Sequence, residues 1–178
     1  MNKLLSLALS LALCAPIFAQ RGPKLEQSIT AGDVKMSLNY TSISFGEGKT
    51  VATLMSKEGG EMRTMINERA SSRPAATFTT SIDVKCGDLT LAAGEHKVYF
   101  TVGDDLAISI NFKSGDKVQT SKLELATDAG HESKQLMMCL YANDKGGAGV
   151  YLAFGKMSGM VDFVPAAKAE TPKADKGK

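Results

Sequence analysis

The chain has 178 residues, a formal net charge of +2, three cysteines, two histidines and no tryptophan. Without Lys3 and the last thirteen residues, where four lysines stand with Glu170 and Asp175, the remainder carries about −1. A body that close to neutral has no long-range field to gather a polyanion, which argues against nucleic acid as a partner.

Asn2–Lys3 is a short basic lead, Leu4 to Leu13 an apolar run, and Pro16-Ile17-Phe18-Ala19 a small-residue ending. This is the pattern of a secretory signal peptide over residues 1–19, cleaved before Gln20. The apolar run is too short to span a bilayer, so no membrane span is expected. Leu11-Ala12-Leu13-Cys14 is similar to a lipobox, but Leu13 stands where a small residue is usual. The mature protein is therefore expected outside the cytoplasm, periplasmic or extracellular, away from ATP- and NAD-dependent chemistry. Residues 20–165 make a single domain with enough length for a core. Residues 166–178 (AAKAETPKADKGK) hold no large apolar side chain and read as a disordered Lys/Ala-rich tail.

Along the body the two-residue period of a strand recurs. Val34, Met36, Leu38 and Tyr40 alternate with polar neighbours, as do Phe78, Thr80, Ile82 and Val84. His96, Val98, Phe100 and Val102 follow, then Leu106, Ile108, Ile110 and Phe112. Residues 135–141 and 150–154 are apolar on both faces and are expected to sit centrally in a sheet. Turn sequences separate these runs: Ala31-Gly32-Asp33, Gly46-Glu47-Gly48, Gly103-Asp104-Asp105, Ser114-Gly115-Asp116 and Asn143 to Gly147. Residues 59–70 alone suggest a short helix or irregular crossover. About nine strands and no long helix predict an all-β fold, an antiparallel β-sandwich or partly closed barrel.

Met62-Arg63-Thr64-Met65-Ile66-Asn67-Glu68, Leu91-Ala92-Ala93-Gly94-Glu95-His96 and Leu106-Ala107-Ile108-Ser109-Ile110-Asn111 stand in one order. In these motifs the chain resembles a bacterial family of exported proteins, domain of unknown function 2911. That family carries Trp-Arg-x-Gly-Ala-Asn-Glu, Leu-Pro-Ala-Gly-x-Tyr and Trp-x-Val-x-x-Asn at the three places. Met62 and Leu106 replace its tryptophans, and of an earlier Tyr-Ser-Arg-Pro only Tyr40 remains. The resemblance implies an all-β exported domain and assigns no activity.

Arg63, Asn67 and Glu68 are the best-placed polar set. They read either as a binding site, with Arg63 offering a bidentate fork to an anion, or as a structural clamp on the crossover. Cys86 is in phase with Ile82 and Val84. In an oxidising compartment Cys86 and Cys139 are either bridged as a disulfide or two separate buried thiols. The pairs Met62/Met65 and Met157/Met160, with Met137-Met138-Cys139, offer soft sulfur for Cu(I), against the ordinary use of methionine as core filler. Neither His96 nor His131 lies in a metal-binding spacing, and no Gly-x-Ser-x-Gly elbow occurs. Gly46-Glu47-Gly48-Lys49-Thr50 resembles the end of a P-loop, but Ile43 stands where the first glycine belongs, and a hairpin turn is expected.

These features point to an exported, non-catalytic β-domain that binds an unknown protein or small ligand, or serves the envelope structurally. No cofactor, metal site or catalytic residue is assigned. A periplasmic small-ligand or soft-metal carrier is the alternative reading, and a hydrolase with dispersed triad residues the second.

Overall fold

Among the described residues twelve strands build two antiparallel sheets packed face to face, and two short α-helices joined by a 3-10 turn stand between the second and third strands. A computed structural model describes residues 22–32, 34–44, 49–127, 130 and 132–166. The expected signal peptide, all of the expected tail except Ala166, the Gly46-Glu47-Gly48 turn and His131 lie outside the described residues.

The first sheet has the order β1-β2-β3-β6-β7-β8. Its strands are β1 (Lys24–Ala31), β2 (Val34–Thr41), β3 (Ala76–Thr80), β6 (Gly94–Val102), β7 (Ile108–Ser114) and β8 (Lys117–Lys122). The second has the order β10-β11-β12-β4-β5, with β9 paired to β12. Its members are β4 (Val84–Cys86), β5 (Leu89–Leu91), β9 (Leu125–Ala126), β10 (Ser133–Ala142), β11 (Ala148–Gly155) and β12 (Met157–Pro165). Between β2 and β3 the chain leaves the sheet for an insert of two helices, α1 (Lys49–Leu54) and α2 (Gly60–Ala70).

Alternation dictates which side chains meet between the sheets. Val34, Met36, Leu38 and Tyr40 of β2 are buried and their neighbours are not, as a strand with one wet face requires. At the centre, Phe78 of β3 and Phe112 of β7 meet Phe163 from the opposite sheet. Phe78 and Phe163 stack with ring centroids 4.4 Å apart, while Phe112 meets Phe163 edge-on at 5.9 Å. Such contacts contribute about 0.5–1.5 kcal/mol each beyond the area they bury.

The sheets approach one another at both seams without closing into a barrel. At one, the Gln27 amide of β1 lies against the edge of β10. Its Nε2 donates to Met138 O at 2.9 Å and its Oε1 accepts from Leu140 N at 2.8 Å, as a neighbouring strand's peptide would. Beyond it Ser44 forms a single bridge with Gln135, and Leu136 N donates to Ile43 O at 2.9 Å. At the other seam Gln119 Nε2 of β8 donates to Thr90 O of β5. Edge groups that would otherwise template a second chain are thus partly covered.

Four expectations change. The run from Phe78 to Val84 is two strands, because the chain turns at 81–83 and passes from one sheet to the other while keeping its phase: Thr80, Val84 and Cys86 all remain buried. Residues 135–141 form an edge strand, not a central one. Leu136 and Met138 enter the core while Met137 and Cys139 face outward. Leu106 lies in the turn before β7 at φ 64°, a left-handed conformation costly for a branched side chain. Residues 49–54 are helical, for Val51, Leu54 and Met55 recur at the i, i+3, i+4 spacing of one helix face. By contrast β11, buried along nearly its whole length, does sit inside its sheet.

Cys86 and Cys139 are free, the first buried and the second exposed. They cannot be bridged. Strands β11 and β12 lie between β10 and β4, which sets the two backbones about 14 Å apart, whereas a disulfide needs Cα atoms within about 7 Å. They also occupy opposite faces of the sheet. Burial, and secondarily the charge of Asp162, pushes the Cys86 thiol from 9.0 up to about 11. The folded chain therefore keeps that proton where the unfolded chain has lost it. The associated stability is complete below pH 9 and declines as pH rises toward 11. In protein carrying Cys14→Ser, a thiol reagent at pH 8 should modify one cysteine in the native state and the second only in denaturant. Two fast-reacting thiols, or none, would contradict the placement.

Candidate functional site

The helical insert covers one end of the sandwich, and the chain specifies its position residue by residue. Strand β6 runs past the end of β3: the last ladder pair is Ala76↔Val98, after which Ala75 N donates to Val98 O at 2.9 Å. Beyond that point the β6 edge needs other partners. Asn67 of α2 supplies them. Its Nδ2 donates to Val102 O at 2.9 Å, and its Oδ1 accepts from Val102 N at 3.0 Å.

One helical turn earlier, on the same face of α2, Arg63 is buried to 5 % exposure. Its Nη1 donates to Leu54 O at 3.0 Å and to Ser56 O at 2.6 Å, while Nε is buried without a partner. Leu54 ends α1, so the guanidinium satisfies carbonyls that a helix terminus leaves unpaired and brings positive charge to its negative pole. The arrangement requires glycine at the bend: a Cβ on Gly59 would lie 1.9 Å from Thr53 O. Glu68 points elsewhere. It is exposed and has no hydrogen bond or ion pair to another described residue. Of the three polar residues singled out in the sequence, the fold thus brings Arg63 and Asn67 into internal bonds and leaves Glu68 in solvent.

Under the insert lies a cavity of about 310 Å³. Val51, Leu54 and Met55 of the α1 region and Ile66 and Ala70 of α2 form one side. Val102, Phe100 and Ile108 of the first sheet and Leu136, Phe154 and Met157 of the second form other walls, with Ile43 and Ala75 beside them. Among the lining residues only Ser44, Tyr99 and Arg73 have polar side-chain groups. A mostly apolar, preformed concavity of this volume with sparse polar groups is the usual form of a small-molecule site. A shallower depression shares Val51, Met55 and Met157 and carries Glu132 and Lys156 at its rim.

The other candidate chemistries are distributed differently. Met157 is buried and Met160 exposed, and Met137 is exposed where Met138 is in the core. Residues an odd number apart on a strand face opposite ways, so these sulfurs do not converge. Among the described residues no group of three or more His, Cys, Asp or Glu side chains is placed to hold a metal. His96 is buried against Phe78, and its Nε2 bonds to Ala92 O at 2.8 Å, which puts the ring proton on that nitrogen because a carbonyl only accepts. No described hydroxyl is hydrogen-bonded to it. Tyr141, remote from the cavity, donates to Asp162 at 2.9 Å. Partial burial, that bond and the Asp162 charge push its phenol up to about 12.

Sequence reasoning missed the cavity. Ile66 and Ala70 are four apart and share a helix face, a signal present in the chain, but Tyr99, Phe154 and Arg73 meet only once the two sheets are stacked. No protein-family model matches the chain, and neither the curated proteins nor the solved structures compared with it contain a significant match. The resemblance to the exported family rests on its three motifs, which fall in α2, at the turn into β6 and at the start of β7.

Arg63→Ala should remove two charge-assisted hydrogen bonds and leave the Leu54 and Ser56 carbonyls short of partners. The expected loss is about 3 kcal/mol, a melting temperature lower by roughly 6–12 °C. Glu68→Ala should change it by less than about 2 °C. Thermal unfolding of both variants checks the contrast, and equal effects would refute the clamp.

Proposed function

We propose that the protein is an exported, periplasmic or extracellular carrier that holds a small apolar ligand in the cavity between its helical insert and the end of the sandwich. The cavity is the observation that supports this most. A concavity lined by carbon leaves its lining without dispersion partners on one side, contacts that an apolar ligand would supply. The insert that encloses it is secured by Arg63 and Asn67 rather than by a core of its own, so it is stable as a roof yet separable from the sheets beneath. Among the described residues no helix is long and apolar enough to cross a membrane, and the leader-like residues 1–19 favour export.

The carrier reading needs no catalytic group. Binding energy would come from burying hydrocarbon, at about 0.8 kcal/mol per methylene. The structural reading, a binding or envelope module without a ligand, is the competing one.

Displacement of an apolar fluorescent dye by medium-chain probes, with native mass spectrometry of protein isolated from its own compartment, tests the reading. Ala70→Trp, which places an indole in the cavity, should weaken probe binding by tenfold or more while keeping the melting temperature within a few degrees. Unchanged binding in that variant would place the ligand elsewhere. If the intact chain binds no apolar probe and carries no bound mass, the carrier reading falls.

A further inference from the structure

We propose that Arg63 and the N-terminus of α2 form a binding site for the carboxylate of a small molecule. Arg63 is not among the residues that line the cavity, so this site stands apart from the carrier reading.

The arginine is the reason. Its side chain is buried to 5 % exposure, yet it forms no ion pair with a described residue. Buried charges are as a rule paired. Nη1 donates to both Leu54 O and Ser56 O, while Nε is buried without a partner and Nη2 has no hydrogen bond to a described residue. Nε–H and Nη2–H lie side by side in the guanidinium plane and make the fork that takes the two oxygens of one carboxylate. The described side chains of the insert leave this fork unanswered. Glu61 stands two residues away, a spacing at which helix side chains do not meet. Glu58 and Glu68 are exposed and unpaired, and Asn67, one turn on, has its Oδ1 committed to Val102 N.

The start of α2 lies beside the same group. Side chains of a helix lean toward its N-terminus, and Arg63, in the first turn, reaches back to Gly59 and Gly60. A Cβ on Gly59 would stand 3.3 Å from Nη1, and one on Gly60 3.8 Å from Nη2. Gly59 is the N-cap residue and α2, eleven residues long, receives no side-chain cap. Its positive pole is therefore left for an anion. Thr53 O explains the glycine at 59, but the backbone does not explain the one at 60. Gly60 has a φ of −54° and a ψ of −48°, which suit any residue, and glycine weakens a helix relative to alanine. Outside the helix backbone, the one atom within 4 Å of a Cβ there is Arg63 Nη2. Gly60 is half-buried, so the missing side chain leaves an approach to the fork. Around it the exposed Lys57, Glu58 and Glu61 sum to one negative charge, which favours a monoanion over a dianion.

Acetate and sulfate are the probes, each replacing chloride at equal ionic strength and neutral pH. In Gly60→Asp the new carboxylate comes within reach of Nη2 and occupies the fork from inside the chain. Comparing that variant with the intact chain cancels general salt effects. About 50 mM acetate should raise the melting temperature of the intact chain by about 2–4 °C more than that of Gly60→Asp. The intact chain should also broaden the resonance of labelled acetate, and Gly60→Asp should not. In chloride alone, Gly60→Asp should melt above both the intact chain and Gly60→Asn, because only the charged side chain pairs with the guanidinium. Equal acetate shifts in the two proteins, or a Gly60→Asp variant that melts below Gly60→Asn, would overturn the site. A sulfate difference larger than the acetate difference would overturn the carboxylate assignment.

Discussion

Strand β6 is longer than its neighbour β3, and that mismatch organises the end of the molecule where the cavity lies. A peptide edge that outruns its partner must find other donors and acceptors, because burying it unpaired costs about as much as a lost hydrogen bond. Asn67 meets the need with both atoms of its amide on the one residue Val102. In doing so it ties α2 across the mouth of the sandwich. The same overhang exposes Tyr99 and Phe100 to the space beneath the helix, so one constraint produces the roof and part of the wall.

The insert has little hydrophobic core of its own. Among its described residues Val51 is the one large apolar side chain in the buried core cluster, and α1 is only six residues long, too short to persist as an isolated helix. Its geometry is carried by polar bonds at chosen points: Arg63 on the carbonyls at the end of α1, and Gly59 where the backbone passes too near Thr53 for any side chain. An insert held by a few directional bonds can lift without disturbing the phenylalanine-centred core below. Local opening of that kind is drawn from the less stable parts of a fold, and it would serve the entry and exit of the ligand proposed for the cavity.

Strand parity decides the fate of the sulfur-bearing residues. Cys86 is an even step from Val84 and enters the core with it, whereas Cys139 is an odd step from Met138 and leaves it. The same parity separates Met157 from Met160 and Met137 from Met138. Pairings that look plausible by proximity along the chain are excluded by two facts, the face each side chain takes and the number of strands between.

The all-β class, the antiparallel alternation and most buried positions of β2, β6 and β7 were legible in the chain, because a two-residue period with one wet face is a local property that survives whatever the sheets later do. Arg63 and Asn67 stood out too, but only together with Glu68 as a polar set on the crossover; which of the three bond inward was decided by the fold. Edge or centre was not legible for β10: an apolar strand looks the same whether its second side meets another strand or, as here, the side chain of Gln27 and the end of β2. The split of residues 78–84 between two sheets kept its phase and so left no mark in the pattern. The cavity belongs wholly to the tertiary structure. Val51, Ile66, Leu136 and Phe154 come from separate elements, and only the stacking of two sheets under a bonded insert turns separate apolar residues into one concave surface.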